Sequence, residues 1–158
     1  METKRILIVD DDELIRKFLL DFFIDLKFEV VTAENGSDAL KKYAPESFDI
    51  VISDLMMPDM TGIELLKELM TRDKNVLFFL ITGYPTLETA VEAIKNGAYD
   101  YIVKPFNLED LRIKVERAIM TRQLKSSLKN VSGILWALLI SVPIWIILGI
   151  ILGFVWKH

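Results

Sequence analysis

Residues 4–12 read Lys-Arg-Ile-Leu-Ile-Val-Asp-Asp-Asp. The apolar run Ile6 to Val9 is too short for a helix and stops abruptly at Asp10, Asp11 and Asp12. It suits a strand buried on both faces that exits onto a polar edge. Runs of the same kind recur at Phe48 to Ser53, Val76 to Ile81 and Tyr101 to Val103, and Phe28 to Ala33 is a more mixed candidate for an outer strand. Between them apolar residues fall at helical spacing: Leu14, Phe18, Phe22 and Leu26, then Ile63, Leu66, Leu69 and Met70, then Leu87, Val91 and Ile94. These stripes are expected to face the core. A last helix has its own start signal, with Asn107 as N-cap, Asp110 at the third helical position and Phe106 placed to staple onto Leu111. Leu111, Val115 and Ile119 then face inward. Strands alternating with helices predict an α/β fold, a parallel sheet with helices on both faces.

The chain has 158 residues, enough for one ordinary domain and a short appendage but not for two enzyme-sized domains. Nineteen Lys and Arg against 23 Asp and Glu give a net charge of −4, which argues against nucleic-acid binding driven by overall charge. The absence of Cys removes disulfides and thiolate metal sites. The N-terminal stretch lacks the pattern of a secretory signal, so the bulk of the chain is expected in the cytoplasm.

Asp10 and Asp11 follow the first strand, while Asp54, Thr82 and Lys104 stand at the ends of the third, fourth and fifth. In a parallel sheet these ends share one edge, where such folds bind ligands. Taken singly, each residue is ordinary: an aspartate run is usually a solvated turn and helix cap, and a Lys before Pro105 is a common strand exit. Together they describe a site. Carboxylates gathered there raise one another's pKa unless a cation lies among them, and all-oxygen donors suit Mg²⁺. Asp54 then reads as a nucleophile toward phosphorus, with Lys104 and Thr82 as a point charge and a hydroxyl donor for the phosphoryl oxygens.

Four stretches carry a family resemblance: Ile6 to Asp12, Asp54 to Gly62 (Asp-Leu-Met-Met-Pro-Asp-Met-Thr-Gly), Ile81 to Tyr84, and Tyr101 to Phe106. In order and spacing they resemble the receiver domain of bacterial two-component response regulators, the chemotaxis regulator among them, over Lys4 to Thr121. The resemblance implies a five-stranded parallel sheet of flavodoxin-like order 2-1-3-4-5. It implies Asp54 as phosphoacceptor, and a Mg²⁺ site of Asp11, Asp54 and the Met56 backbone carbonyl, with Asp10 acting partly through water. It also implies an aromatic switch at Tyr101 coupled to Thr82, a cis peptide between Lys104 and Pro105, and a sensor histidine kinase or phosphotransfer protein as partner. The stretch from Thr82 to Ile119 most resembles receivers attached to ATPase activators, yet no ATPase or helix-turn-helix motif follows.

The mean hydropathy of +0.34 is high for a soluble domain, and the excess lies after Asn130. Residues 1–121 form the receiver-like part and 122–133 a polar, basic linker. Residues 134–156 are 23 uncharged positions, roughly 34 Å as a helix, enough to cross a hydrocarbon core of about 30 Å. Trp136 and Trp156 stand near its ends, and basic residues before it place the receiver on the cytoplasmic side of the inner or plasma membrane. Gly149 and Gly153 fit a small-xxx-small pattern for helix pairing, hence a homodimer or a membrane protein partner. Lys114, Arg117, Arg122, Lys125 and Lys129 read as a solvated face beside a membrane rather than a nucleic-acid patch. The expected function is a membrane-anchored signalling phosphoacceptor, not an enzyme beyond its own phosphoryl transfer. The alternatives are a phosphate sink and an inert receiver-like scaffold.

Overall fold

The structure, a computed structural model, describes residues 3–44 and 47–126 together with Leu139 and Ser141. Five strands and their helices follow in strict alternation: β1 (Arg5–Val9), α1 (Glu13–Asp25), β2 (Glu29–Ala33), α2 (Gly36–Lys42), β3 (Ile50–Asp54), α3 (Gly62–Arg72), β4 (Leu77–Thr82), α4 (Leu87–Lys95) and β5 (Asp100–Val103). A final helix, α5, has described residues 108–126. All strand pairs are parallel, in the order β2-β1-β3-β4-β5. The expected sheet is therefore present, with the mixed segment β2 at one edge and β5 at the other. The strands start one or two residues from the expected positions; β1, β2 and β5 end where expected, and β3 and β4 run one residue further. Phe48 and Val76 precede β3 and β4, while Asp54 and Thr82 belong to them.

Because side chains alternate across a strand, the continuous apolar runs supply two separate cores. Leu7, Val9, Val51, Phe78 and Leu80 face one side, with Ala39 of α2, Leu65, Leu66 and Leu69 of α3, and Ala93 of α4. Ile6, Ile8, Ile50, Ile52, Phe79 and Ile81 face the other, with Leu19 and Phe23 of α1 and Leu111, Val115 and Ala118 of α5. Asn107 caps α5 as expected: its Oδ1 accepts from the Glu109 amide at 2.7 Å, and Phe106 packs in the same cluster as Leu111. The stripe of α3 is also as expected, with Ile63, Leu66 and Leu69 buried and Met70 packed beside them.

Two helical faces differ from the expectation. On α1, Leu14 is 78% exposed and Phe18 58%, while Leu19 and Phe23 are buried. The segment Phe18-Leu19-Leu20 and Phe22-Phe23-Ile24 offers two overlapping stripes, and the helix buries the one that also brings Ile15, Phe22 and Leu26 against the sheet. On α4 the entire stripe is displaced outward: Leu87, Val91 and Ile94 are exposed, and the helix docks through Ala93. Met70 and Tyr101 pack against the same cluster as Ala93.

Glycine is required where α3 meets the sheet. A Cβ on Gly62 would lie 2.2 Å from the Asp54 carbonyl oxygen and 2.7 Å from Leu80 Cδ1. Backbone cannot yield as a side-chain tip can, so Gly62→Ala should lower unfolding stability in urea by about 2–3 kcal/mol. Gly83, where a Cβ meets nothing within 4 Å, supplies the comparison: Gly83→Ala should change stability far less. Equal losses in the two variants would refute the steric account.

The chain divides into two compact units, Met1–Ile119 and Met120–His158. Almost all of the expected membrane segment 134–156, including Gly149 and Gly153, lies outside the described residues; Leu139 and Ser141 are both helical. Among the described residues no helix is long and apolar enough to cross a membrane.

Candidate functional site

The C-terminal ends of β1, β3, β4 and β5 open into a cleft lined by Asp10, Asp11, Asp54, Met56, Thr82 and Lys104. Each is delivered by a local rule. β1 ends at Val9, and the next residues are freed to turn because Asp12 caps α1, its side chain accepting from the Leu14 and Ile15 amides. Asp54 is the last residue of β3, buried, and its Oδ2 accepts from the Met56 amide at 2.6 Å. Lys104 directly follows β5 and is joined to Pro105 by a cis peptide, as the resemblance implied.

The Lys104 ammonium is the hub. Its Nζ donates to Asp54 Oδ1 at 2.6 Å and to Asp10 Oδ2 at 3.0 Å. Asp10 Oδ1 accepts from the Asp12 amide at 2.9 Å, so both oxygens of that buried carboxylate are engaged. Burial pushes the Asp10 carboxyl above its ordinary range; the Asp12 amide and Lys104 pull it part of the way back, and the charge of Asp54 is the smallest of these influences. Crowding of like charges, the expected cause, is thus outweighed by desolvation. For Lys104, burial acts downward but the hydrogen bonds to Asp54 and Asp10 outweigh it and hold the ammonium above its ordinary range.

Asp11 is exposed at the mouth of the cleft. The buried Thr82 hydroxyl accepts from the Tyr84 amide at 3.0 Å and retains its own proton for another acceptor. Tyr101 does not line the cleft, and its hydroxyl meets Thr89 Oγ1 at 2.8 Å rather than Thr82. Sequence reasoning missed Arg16, whose guanidinium donates to the Asp10 carbonyl at 2.6 Å from the first turn of α1. No local sequence pattern signals it, because the bond depends on how α1 is set down against the strand end.

Among the described residues no three acidic side chains converge into a ready metal cage. Lys104 stands between Asp10 and Asp54 and is ion-paired to both. The donors are nonetheless hard oxygens at a solvent-open edge. Mg²⁺ needs only one or two carboxylates and keeps its remaining waters, so the donor set fits it.

The comparisons with known proteins cover the part of the chain that holds this cleft. The model of the response regulator receiver domain matches residues 6–116. The regulatory protein AtoC of Escherichia coli is 40% identical over 126 residues, 80% of this chain and 27% of AtoC. The chain spans less than a third of the length of the curated relatives it matches. A CheY-like receiver domain protein from Methanospirillum hungatei superposes with a TM-score of 0.76 at 33% identity, over 78% of this chain and 99% of that one. The response regulator TrrA of Thermotoga maritima, solved in complex with Mg²⁺ and BeF, gives a TM-score of 0.66 at 36% identity, covering 73% of this chain and 99% of its own. With its fold and a family model that matches residues 6–116, the chain belongs to the response regulator receiver family.

Proposed function

We propose that the chain is a membrane-anchored receiver of a two-component phosphorelay, phosphorylated on Asp54 and switching a membrane-proximal partner or its own association. The observation that carries the phosphoacceptor reading is the bridge from Lys104 to both Asp54 and Asp10 at the sheet edge, a cation already held where phosphoryl oxygens would arrive. Asp10, Asp11, Asp54 and the Met56 carbonyl would hold Mg²⁺, which when bound supplies charge neutralisation for the phosphoryl oxygens.

The remaining chemistry belongs to the side chains. An Asp54 carboxylate oxygen attacks phosphorus in line; a P–O bond forms to Asp54 as the donor's P–N or P–O bond breaks, and the electron pair leaves with the donor. Lys104 then shifts its hydrogen bond from Asp54 to a phosphoryl oxygen, and the Thr82 hydroxyl donates its free proton to another. The natural donor is a phosphohistidine of a sensor kinase or phosphotransfer protein. The deciding experiment uses acetyl phosphate instead: the intact mass should rise by one phosphate with Mg²⁺ present and not when EDTA removes it. Equal labelling with EDTA would overturn the metal-dependent reading.

Lys104 provides a separate check. Lys104→Ala removes an ammonium that competes for the carboxylates, so calorimetric titration should show Mg²⁺ binding at least about tenfold tighter than in the native chain. Labelling on Asp54 should persist, while any phosphorylation-dependent partner response should be lost. Unchanged or weaker Mg²⁺ binding would contradict the competition.

Support for the anchor comes from sequence: residues 134–156 carry no charge, and Arg122, Lys125 and Lys129 precede them. Under this reading the receiver faces the cytoplasm and Gly149 and Gly153 favour helix pairing. Nucleic acid has no place in the proposal, on the ground of the net charge of −4.

A further inference from the structure

Tyr101 sits on the edge strand β5, half-buried against the cluster that contains Leu80 and Ala93. Its hydroxyl lies 2.8 Å from Thr89 Oγ1. Thr89 is also half of the capping box that starts α4: its amide donates to Thr86 Oγ1 at 3.1 Å, and the Thr86 amide donates back to Thr89 Oγ1 at 3.3 Å. Glu or Gln usually fills this position, and a carboxylate or amide offers two heavy atoms to share among partners. Thr offers one oxygen, with one proton and two lone pairs.

That single oxygen is oversubscribed. Besides the Thr86 amide and the Tyr101 hydroxyl, the Thr86 hydroxyl at 3.0 Å and the Thr86 carbonyl at 3.2 Å lie within reach. Only three such bonds can be made at once, and the phenol is the nearest of the four neighbours. A tie of this kind joins three things: β5, whose Tyr101 is in register with Leu80 of β4; the first turn of α4; and the loop 83–86 that leads from Thr82 to the box. That loop is already bound to the site, because the Tyr84 amide donates to Thr82 Oγ1. A rotation of the Thr82 side chain toward Asp54 would carry this bond, and the loop, with it or break it.

We propose that Thr89 is a positioning residue for the phosphoryl response: its hydroxyl ties Tyr101 to the start of α4 and holds the β4–α4 loop against the movement that brings Thr82 to the phosphoryl oxygens. This rests on the reading of the cleft as a phosphoryl site. Binding and release of the tie are then linked, and whatever weakens the tie strengthens binding.

The test is a titration of the full chain in detergent micelles with beryllofluoride and Mg²⁺, read by ¹⁹F NMR of bound fluoride. Thr89→Val keeps the shape and removes the hydroxyl; Tyr101→Phe removes only the phenol oxygen and leaves the capping box intact. Each should raise the apparent affinity about fivefold, the scale of one net hydrogen bond. The double variant should gain no more than either single one, and Thr89→Ser should bind as the native chain does. A merely structural role for Thr89 would lower stability without tightening binding. Tyr101→Phe binding at native affinity or below overturns the tie, as do additive gains in the double variant. A native chain that binds no beryllofluoride overturns the phosphoryl reading and the tie with it, whereas native binding with unchanged variants overturns the tie alone.

Discussion

Asp54→Asn should carry no phosphate after treatment with acetyl phosphate and Mg²⁺, under conditions in which the native chain gains one. The substitution conserves shape but replaces a charged oxygen pair with an amide whose oxygen is a poor nucleophile and whose NH₂ group can only donate. In the native site Asp54 accepts from Lys104 through one oxygen and from the Met56 amide through the other. An Asn can satisfy one of these donors; the other faces an NH₂ group. If the amide oxygen keeps Lys104, a donor meets a donor at the Met56 amide, a local loss of about 1–3 kcal/mol. That is small against a typical domain stability of about 5–15 kcal/mol, so circular dichroism should show the fold retained. Loss of label in a folded variant then speaks to chemistry alone. Undiminished labelling would move the nucleophile to Asp10 or Asp11 and sink the assignment, and peptide mapping of the labelled product would say which.

The sheet was readable because Ile6 to Val9, Ile50 to Ile52 and Phe78 to Ile81 are apolar at every position, a pattern that only strands covered on both faces require. The site was readable for a related reason: strand ends define one edge, so residues distant in sequence could be placed together without knowing the helices. What failed was the first half of the stripe on α1, at Leu14 and Phe18, and the choice of face on α4. Periodicity identifies a stripe but not what the stripe meets. On α4 the sheet-facing position is Ala93, a residue that adds little to any apolar pattern. The helix α2 offered no stripe at all, since in its seven residues only Gly36 and Ala39 are buried. Arg16 and Thr89 were invisible for a third reason. Their bonds to the Asp10 carbonyl and the Tyr101 hydroxyl depend on how a helix is set down on the sheet, and no local pattern encodes that.

Truncation after Asn130 should move the protein completely from carbonate-washed membranes to the soluble fraction, while the intact chain stays with the pellet. The segment removed contains residues 134–156, where Leu, Ile, Val and Phe dominate and no Asp, Glu, Lys or Arg occurs. Each such apolar residue near the centre of a span contributes about 0.3–0.6 kcal/mol to insertion, so their sum leaves no appreciable soluble population. Confinement also changes association. Two receivers whose anchors pair meet at an effective concentration in the millimolar range for a short linker, so a contact too weak to form in solution becomes an intramolecular one. Phosphorylation then needs to alter the receiver surface only slightly to alter its pairing. Crosslinking in native membranes, with and without beryllofluoride, separates the two roles of the segment. The intact chain should show beryllofluoride-dependent crosslinks; Gly149→Ile combined with Gly153→Ile should stay in the membrane but crosslink several-fold less, because the bulky side chains hold the helices apart; the truncated chain should show the weakest response of the three. Equal beryllofluoride-dependent crosslinking in all three would mean that the segment only localises the receiver, and recovery of the intact chain in the soluble fraction would remove the anchor itself.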